Sequence, residues 1–202
     1  MSNNHYYTNQ PETPHQKDTW SFKLKDNTFF FTTDSGVFSK KTVDFGSRVL
    51  IDTWPESDLP EGSLLDVGCG YGPIGLALAH ATGRQVEMVD VNERAVALAQ
   101  ENARNNHLEH TAIHISNIYD NVYEEHYAAI VSNPPIRAGK KVVHEILTGA
   151  FSRLKVGGTL TVVIQKKQGA PSAMQKMEET FGNVATLKKE KGYYILQSVK
   201  KK

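Results

Sequence analysis

One cysteine, Cys69, is the only thiol in the 202 residues, so neither an internal disulfide nor a multi-cysteine zinc site can form. A lone thiol suits a reducing, cytoplasmic location. Long apolar runs are also missing, and nothing approaches the roughly 20 residues that span a bilayer. The polar opening over 1–18, with Pro11 and Pro14 among Asn, His and Gln, lacks the apolar stretch of a signal peptide. No membrane partner is expected. The eight histidines show no metal-ligand spacing; His80, His107 and His110 read as helix-end or loop residues, and no metal is expected. No nucleophile elbow follows a strand, which removes the serine–histidine–acid hydrolases. Internal repeats and low-complexity tracts are absent too, which excludes solenoids and arrays.

What is present fits one α/β domain. Hydrophobic residues at 39% and charged residues at 22% are enough for a folded chain with a real core. The formal net charge of +1 conceals a skew: acids dominate 52–61, while Lys166, Lys167, Lys188, Lys189, Lys191 and the run Lys200-Lys201-Lys202 load the last third. That skew permits an anionic partner. Residues 1–18 read as a disordered leader, 19–62 as a hairpin and helix packed on the core, and 63–202 as the main domain. In the second segment, 22–24 and 28–33 flank Lys25-Asp26-Asn27 as a hairpin with an Asp-Asn turn. A helix spans 42–54 and is interrupted by Gly46.

Beyond residue 62, strand and helix signals alternate. Strands are expected at 63–67, 86–91, 112–116, 128–132 and 159–164, with helices at 73–81, 93–106, 141–154 and 173–181. This rhythm predicts a Rossmann-like parallel sheet covered by helices on both faces. Two last apolar segments, 184–187 and 193–199, are joined by 188–192 with no room for a helix. They should pair as an antiparallel hairpin at the sheet edge.

The sharpest local signal is Leu64-Leu65-Asp66-Val67-Gly68-Cys69-Gly70-Tyr71-Gly72-Pro73-Ile74-Gly75. A strand ends in glycines, which let the backbone turn tightly and let a ligand lie against the peptide groups. Gly70-x-Gly72-x-x-Gly75 followed by Asp90 also satisfies the dinucleotide fingerprint. Asp66 leans away from that reading: a carboxylate beside the loop repels pyrophosphate but accepts hydrogen bonds from a cationic amino acid. Asp90, at the tip of the second strand, can accept both ribose hydroxyls of either ligand. The same two aspartates would also serve as turn and helix caps.

Asp66-Val67-Gly68-Cys69-Gly70-Tyr71-Gly72 resembles the first motif of class I methyltransferases, and the strand count with its terminal hairpin resembles their seven-stranded sheet. The resemblance implies S-adenosyl-L-methionine as cofactor, with Asp66, Gly68, Cys69 and Gly70 around its methionine part and Asp90 and Val91 at its ribose. It also implies Asn117 and Ile118 at the adenine. Asn117 stands where the family commonly has an acid; a carboxamide oxygen still accepts that hydrogen bond, without charge assistance.

At the end of the fourth strand stands Ser132-Asn133-Pro134-Pro135-Ile136-Arg137-Ala138-Gly139-Lys140. Two prolines lock a rigid turn at the rim of the same crevice. An amine on an aromatic base is a poor nucleophile, because its lone pair is delocalised into the ring. Two acceptors gripping its N–H bonds can aim that lone pair, and the Asn133 side-chain oxygen and Pro134 carbonyl are suitable. The position of this turn resembles the catalytic motif of amine-directed methyltransferases. Ile136 replaces the aromatic residue many of them carry, which argues against the DNA adenine and protein glutamine branches.

Phe31-Thr32-Thr33-Asp34-Ser35-Gly36-Val37-Phe38-Ser39 with Asp44-Phe45-Gly46-Ser47, then 133–140, then Val163-Ile164-Gln165-Lys166-Lys167-Gln168-Gly169 are together similar to the small-methyltransferase domain of the RsmC-like ribosomal RNA guanine-N2 methyltransferases. The implied roles are cofactor covering for Gly36 and Phe38, and amine orientation with cofactor contact for Asn133. Pro135, Ile136 and Arg137 would contact substrate, and Lys140 and Lys166 would join a basic rim facing RNA phosphates. The implied partner is ribosomal RNA or the small ribosomal subunit, with the chain a monomer or homodimer. Methylation of another amine, in tRNA, DNA or protein, a nicotinamide-dependent oxidoreductase, and a non-catalytic RNA-binding factor stay open as alternatives.

Overall fold

The computed structural model of the chain describes residues 15–35, 38 and 41–202. Most of the expected leader, and Gly36, fall outside the described residues. Strand β1 (Lys17–Leu24) begins before the boundary expected at residue 19 and pairs antiparallel with β2 (Asn27–Asp34). The hairpin turns at Lys25-Asp26 rather than Asp26-Asn27. Both turn residues take left-handed φ, 47° and 64°, as a two-residue turn matched to strand twist requires. Asn27 stays in the strand and donates Nδ2 to the Lys25 carbonyl at 2.9 Å. Helix α1 (Phe45–Thr53) starts later than the apolar spacing suggested, because Asp44 caps it by accepting the Ser47 N–H at 3.1 Å.

The main body runs β3 (Leu64–Val67), α2 (Pro73–Thr82), β4 (Val86–Asp90), α3 (Glu93–Asn105), β5 (Thr111–Ile115), β6 (Tyr127–Ser132), α4 (Lys140–Arg153), β7 (Leu154–Gln165), α5 (Ala170–Phe181), β8 (Ala185–Glu190) and β9 (Tyr193–Val199). Its strands form one seven-stranded sheet in the order β5-β4-β3-β6-β7-β9-β8. Pairing is parallel from β5 through β7, and β9 is antiparallel to both of its neighbours. Lys188 and Lys189, expected in the connecting loop, extend β8, and the turn tightens to Lys191-Gly192 with φ of 46° and 81°. Chain order reverses between β3 and β6, so a crevice opens at their carboxyl ends.

Both faces of the central strands β3, β4 and β6 are buried, so these strands lack the alternation of apolar and polar residues that a one-sided sheet shows. Leu64 and Met88 face one core with Leu76, Leu78 and Leu98; Leu65, Val67 and Val89 face the other with Ile146, Leu147 and Met177. The first core also takes Leu24, Phe29 and Phe31 of the hairpin and Val49, Leu50 and Ile51 of α1. The N-terminal segment is therefore continuous with the core.

The outer edge of β2 would expose unpaired backbone groups. Two asparagines one turn apart, Asn102 on α3 and Asn106 at its C-cap, cover it. Asn102 accepts from the Thr32 N–H at 2.7 Å and donates to the Thr32 carbonyl at 3.1 Å. Asn106 does the same for Phe30 at 2.9 and 2.8 Å. Asn102 also donates to the Tyr71 carbonyl at 2.8 Å, tying hairpin, helix and glycine loop through one fully buried amide. Asn102→Ala should strand three buried backbone groups and cost about 3 kcal/mol. For a domain of this size that lowers the thermal midpoint by roughly 6–12 °C, measurable by calorimetry; a shift under about 2 °C would contradict the account.

Candidate active site

Backbone geometry at the end of β3 depends on glycine. Gly68, Gly70 and Gly72 take φ of 73°, 58° and 103°, a region that side-chain-bearing residues rarely enter. The bend is pinned from the next strand. Gly68 and Cys69 both donate their N–H to the Val89 carbonyl at 2.9 Å, and Gly70 donates to Asp90 Oδ2 at 2.9 Å. Asp90 Oδ1 accepts from the Asn92 N–H at 2.9 Å, and Asn92, not Asp90, caps α3 by accepting from Ala95 at 3.0 Å. Asp66 Oδ2 accepts from the Gly75 N–H at 2.9 Å. Its Oδ1 is buried and has no hydrogen-bond partner among the described residues.

Burial pushes the Asp66 carboxyl up from 3.8 to about 7; the Gly75 N–H opposes that shift and the nearby Asp90 charge adds to it. Burial raises the Cys69 thiol well above its ordinary value, which keeps it protonated and poorly nucleophilic. Both aspartates thus cap backbone donors, and Asp66 keeps an acceptor oxygen, Oδ1, without a described partner. A side-chain carbon built on Gly68 would meet nothing nearer than Pro135 Cδ, at 3.9 Å. An open glycine bend beside an unpartnered buried carboxylate oxygen fits a nucleoside that carries a cationic amino acid.

The Asn-Pro-Pro turn lies beside the glycine loop, Pro135 Cδ being 3.9 Å from where a Gly68 Cβ would stand. The Ser132 hydroxyl donates to the Val67 carbonyl at 2.7 Å, locking the ends of β6 and β3 together. Asn133 Nδ2 donates to Asp44 Oδ2 at 3.1 Å and to Ser47 Oγ at 3.0 Å. The Asp44 carboxylate can only accept, so the amide nitrogen must face it and Oδ1 must point away. No described donor occupies that Oδ1. The turn closes with the Ala138 N–H on the Pro135 carbonyl at 2.9 Å, and half-buried Ile136 packs on the α4 side of the core.

The remaining sequence-nominated residues lie at different distances from this centre. Phe38 meets the Tyr71 ring edge-on, 4.7 Å between centroids, beside the glycine loop. Val91 is half-buried next to Asp90, and buried Ile118 follows the Ser116 N–H, which donates to the Asp90 carbonyl at 3.0 Å. Asn117 is exposed and turns Nδ2 to Asp120 at 3.2 Å, which directs its Oδ1 elsewhere. Arg137 and Lys166 are exposed on turns after β6 and β7. Lys140 instead lines a depression between α4 and α5 with His144, Gln175, Lys176 and Glu179. Burial, then the charges of Lys140 and Lys176, lowers the His144 pKa there.

Sequence reading assigned no role to Asp44 or Ser47, the partners that orient Asn133. One signal was available: Gly46 sits inside a helical pattern, and an added Cβ there would fall 2.7 Å from the Tyr193 ring and 3.2 Å from Asp44 Oδ2. A glycine in that setting marks a close approach.

The sheet order, the glycine bend, the strand-tip Asp90 and the turn after β6 define a class I methyltransferase. The family model of the methyltransferase small domain matches residues 28–197, and the chain belongs to that family. Among curated relatives, a Bacillus subtilis (strain 168) chain carrying the name Uncharacterized protein YbxB is 54% identical over 97% of this chain and 98% of its own length. Ribosomal RNA small subunit methyltransferase C of Photorhabdus laumondii is 30% identical over 94% of this chain and 56% of its own. Ribosomal RNA large subunit methyltransferase G of Klebsiella pneumoniae is 30% identical over 94% and 51%. The chain therefore spans about half the length of these named ribosomal RNA enzymes. The solved structure of the T. thermophilus 16S rRNA N2 methyltransferase RsmC, in complex with AdoMet and guanosine, superposes with a TM-score of 0.83 at 28% identity, over 95% of this chain and 52% of that one.

The elevated Asp66 carboxyl has a thermodynamic consequence. Folded Asp66 holds its proton up to about pH 7, whereas the unfolded chain releases it near 3.8. The unfolded state therefore binds fewer protons across that window, and stability falls as pH rises from about 4 to about 7, then levels off. Asp66→Asn should remove this loss, so that the variant gains on the parent between pH 4 and pH 8 in thermal unfolding of the ligand-free protein. An equal difference between the two proteins at both pH values would refute a buried, protonatable Asp66.

Proposed function

We propose that the chain transfers a methyl group from S-adenosyl-L-methionine to the exocyclic N2 of a guanine in small-subunit ribosomal RNA, working in the cytoplasm. The observation that carries this reading is the fixed amide of Asn133, whose nitrogen is consumed by Asp44 and Ser47 so that its oxygen is left as an acceptor. Asp66 would accept from the amino-acid end of the cofactor, Gly68, Cys69 and Gly70 would floor it, and Asp90 with Val91 would take the ribose. Asn117 and Ile118 would border the adenine, and Phe38 would close over the loop. The cofactor supplies, when bound, an electrophilic methyl group on a good leaving group.

The chain's own residues then orient the nucleophile. Asn133 Oδ1 and the Pro134 carbonyl accept the two N–H bonds of the base amine and stabilise the charge that develops on nitrogen. Pro135 and Ile136 offer an apolar rest for the base plane. Arg137, Lys140 and Lys166 supply cations for phosphates around the mouth. Rigidity matters because a displacement aligned by about 1 Å too little loses roughly 100-fold in rate. The prolines and the Ser132 bond to Val67 provide that rigidity.

The relatives named for the large subunit match at the same identity and coverage as those named for the small subunit. Large-subunit RNA is accordingly the second reading. Transfer assays on naked small- and large-subunit RNA and on the assembled subunits, followed by nucleoside mass mapping, separate the two. N2-methylguanine in small-subunit RNA is expected, and label confined to large-subunit RNA transfers the reading there. Asn133→Ala should lower kcat/KM about 100- to 1,000-fold while calorimetric affinity for S-adenosylhomocysteine changes less than tenfold. Undiminished transfer by that variant would dismiss the catalytic turn.

A further inference from the structure

The helix that orients Asn133 also carries a cation whose Nε has no hydrogen-bond partner among the described residues. Arg48, one turn beyond Asp44 on α1, lies with its guanidinium 5.6 Å from the Phe22 ring centroid and 5.2 Å from that of Phe45. Its Nε is buried and meets no hydrogen-bond acceptor among the described residues. No described carboxylate lies within 4.0 Å of Arg48, although Lys17, Lys23, Lys25, Lys41, Arg94, Lys176 and Lys188 all have one. A planar cation held by stacking alone, with its N–H fork unspent, is poised for an external anion.

A second cation meets the same ring. Lys191, exposed in the β8–β9 turn, places Nζ 4.8 Å from the Phe45 centroid. It too has no described carboxylate within 4.0 Å; the nearby Glu190 is taken by Lys188 at 3.0 Å. Tyr193 completes the platform, its ring 5.5 Å from Phe45 and close enough over Gly46 that a Cβ there would fall 2.7 Å from it. The Lys166 N–H donates to the Gly192 carbonyl at 2.8 Å, which draws the basic turn after β7 alongside. Asp44 and Ser47, the residues that hold Asn133, flank Phe45 and Gly46 in the chain. The platform therefore adjoins the proposed reaction centre within about one helical turn.

We propose that Arg48 and Lys191, both seated on Phe45, form a phosphate clamp for the RNA backbone next to the target nucleotide. The inference rests on the RNA-methyltransferase reading above. Stacking on Phe45 holds two flexible cations in place before RNA arrives, which reduces the ordering cost of the contact. Arg48 would grip phosphate oxygens with its fork, and Lys191 would act as a point charge beside it. Such contacts carry no base information; they set the register that puts one particular amine at Asn133.

The test is the salt dependence of binding to in-vitro-transcribed small-subunit ribosomal RNA, measured by filter binding from 50 to 300 mM KCl. Each phosphate contact contributes roughly 0.7–0.9 to the slope of log K against log salt. Arg48→Ala and Lys191→Asn should each reduce the slope by about that amount, and Arg48→Lys should retain it. Each neutral variant should also raise KM for RNA by more than it lowers kcat. Asparagine suits the left-handed backbone at 191, φ 46°, so this exposed variant carries the test even if Arg48→Ala fails to fold. Unchanged slopes in variants of a parent that binds and methylates RNA would overturn the clamp alone. A parent protein with neither salt-dependent RNA affinity nor methyl transfer would overturn the underlying reading as well.

Discussion

Two carboxylates, Asp66 and Asp90, lie buried at the tips of adjacent parallel strands, and the loops around them are shaped by the need to compensate them. Backbone N–H groups of Gly70, Gly75 and Asn92 donate to them. Such donors can converge only where the chain folds back on itself, and positive φ at Gly68, Gly70 and Gly72 permits that. Compensation is incomplete at Asp66, whose free oxygen and elevated carboxyl record the deficit. A binding site that keeps a buried acceptor unsatisfied costs stability in the empty protein and recovers it from a cationic ligand.

The N-terminal segment belongs to this centre rather than to its periphery. Its hairpin lays Phe31 and Trp20 against Tyr71 of the glycine loop, at centroid distances of 5.5 and 6.0 Å. Asp34 joins the hairpin to α3 through Arg94 at 2.9 Å, with both side chains largely buried. Asp44 performs two functions with one carboxylate, capping α1 and facing the Asn133 amide. The family match begins inside β2, so nearly all of β2 lies within the matched residues and β1 precedes them. Removing the hairpin and α1 together would uncover the first core and take away the Asp44 and Ser47 contacts to Asn133.

Much of the architecture was legible from local pattern. Alternating apolar strands and alanine-rich helices after residue 62 anticipated each element of the main sheet, and Pro134-Pro135 marked the rigid turn. Errors fell at element ends, where side-chain caps override hydrophobic spacing: Asp44 delays α1, and the Lys25-Asp26 turn displaces the expected Asp-Asn pair. Lys188 and Lys189 resembled a loop because charge on an exposed edge strand is indistinguishable, in sequence, from charge in a turn.

Residue identity and spacing along the chain determined the strand–glycine–helix unit, the acid at the next strand tip and the proline-stiffened turn, because each is a short-range consequence of backbone sterics and periodicity. Only the tertiary structure decided which atoms meet: that Asp44 and Ser47 take the nitrogen of Asn133, that one amide of Asn102 ties three elements, and that Arg48 and Lys191 share the Phe45 ring. These pairings join residues distant in sequence, and their geometry follows from how sheet, hairpin and helix pack together, which no local pattern encodes.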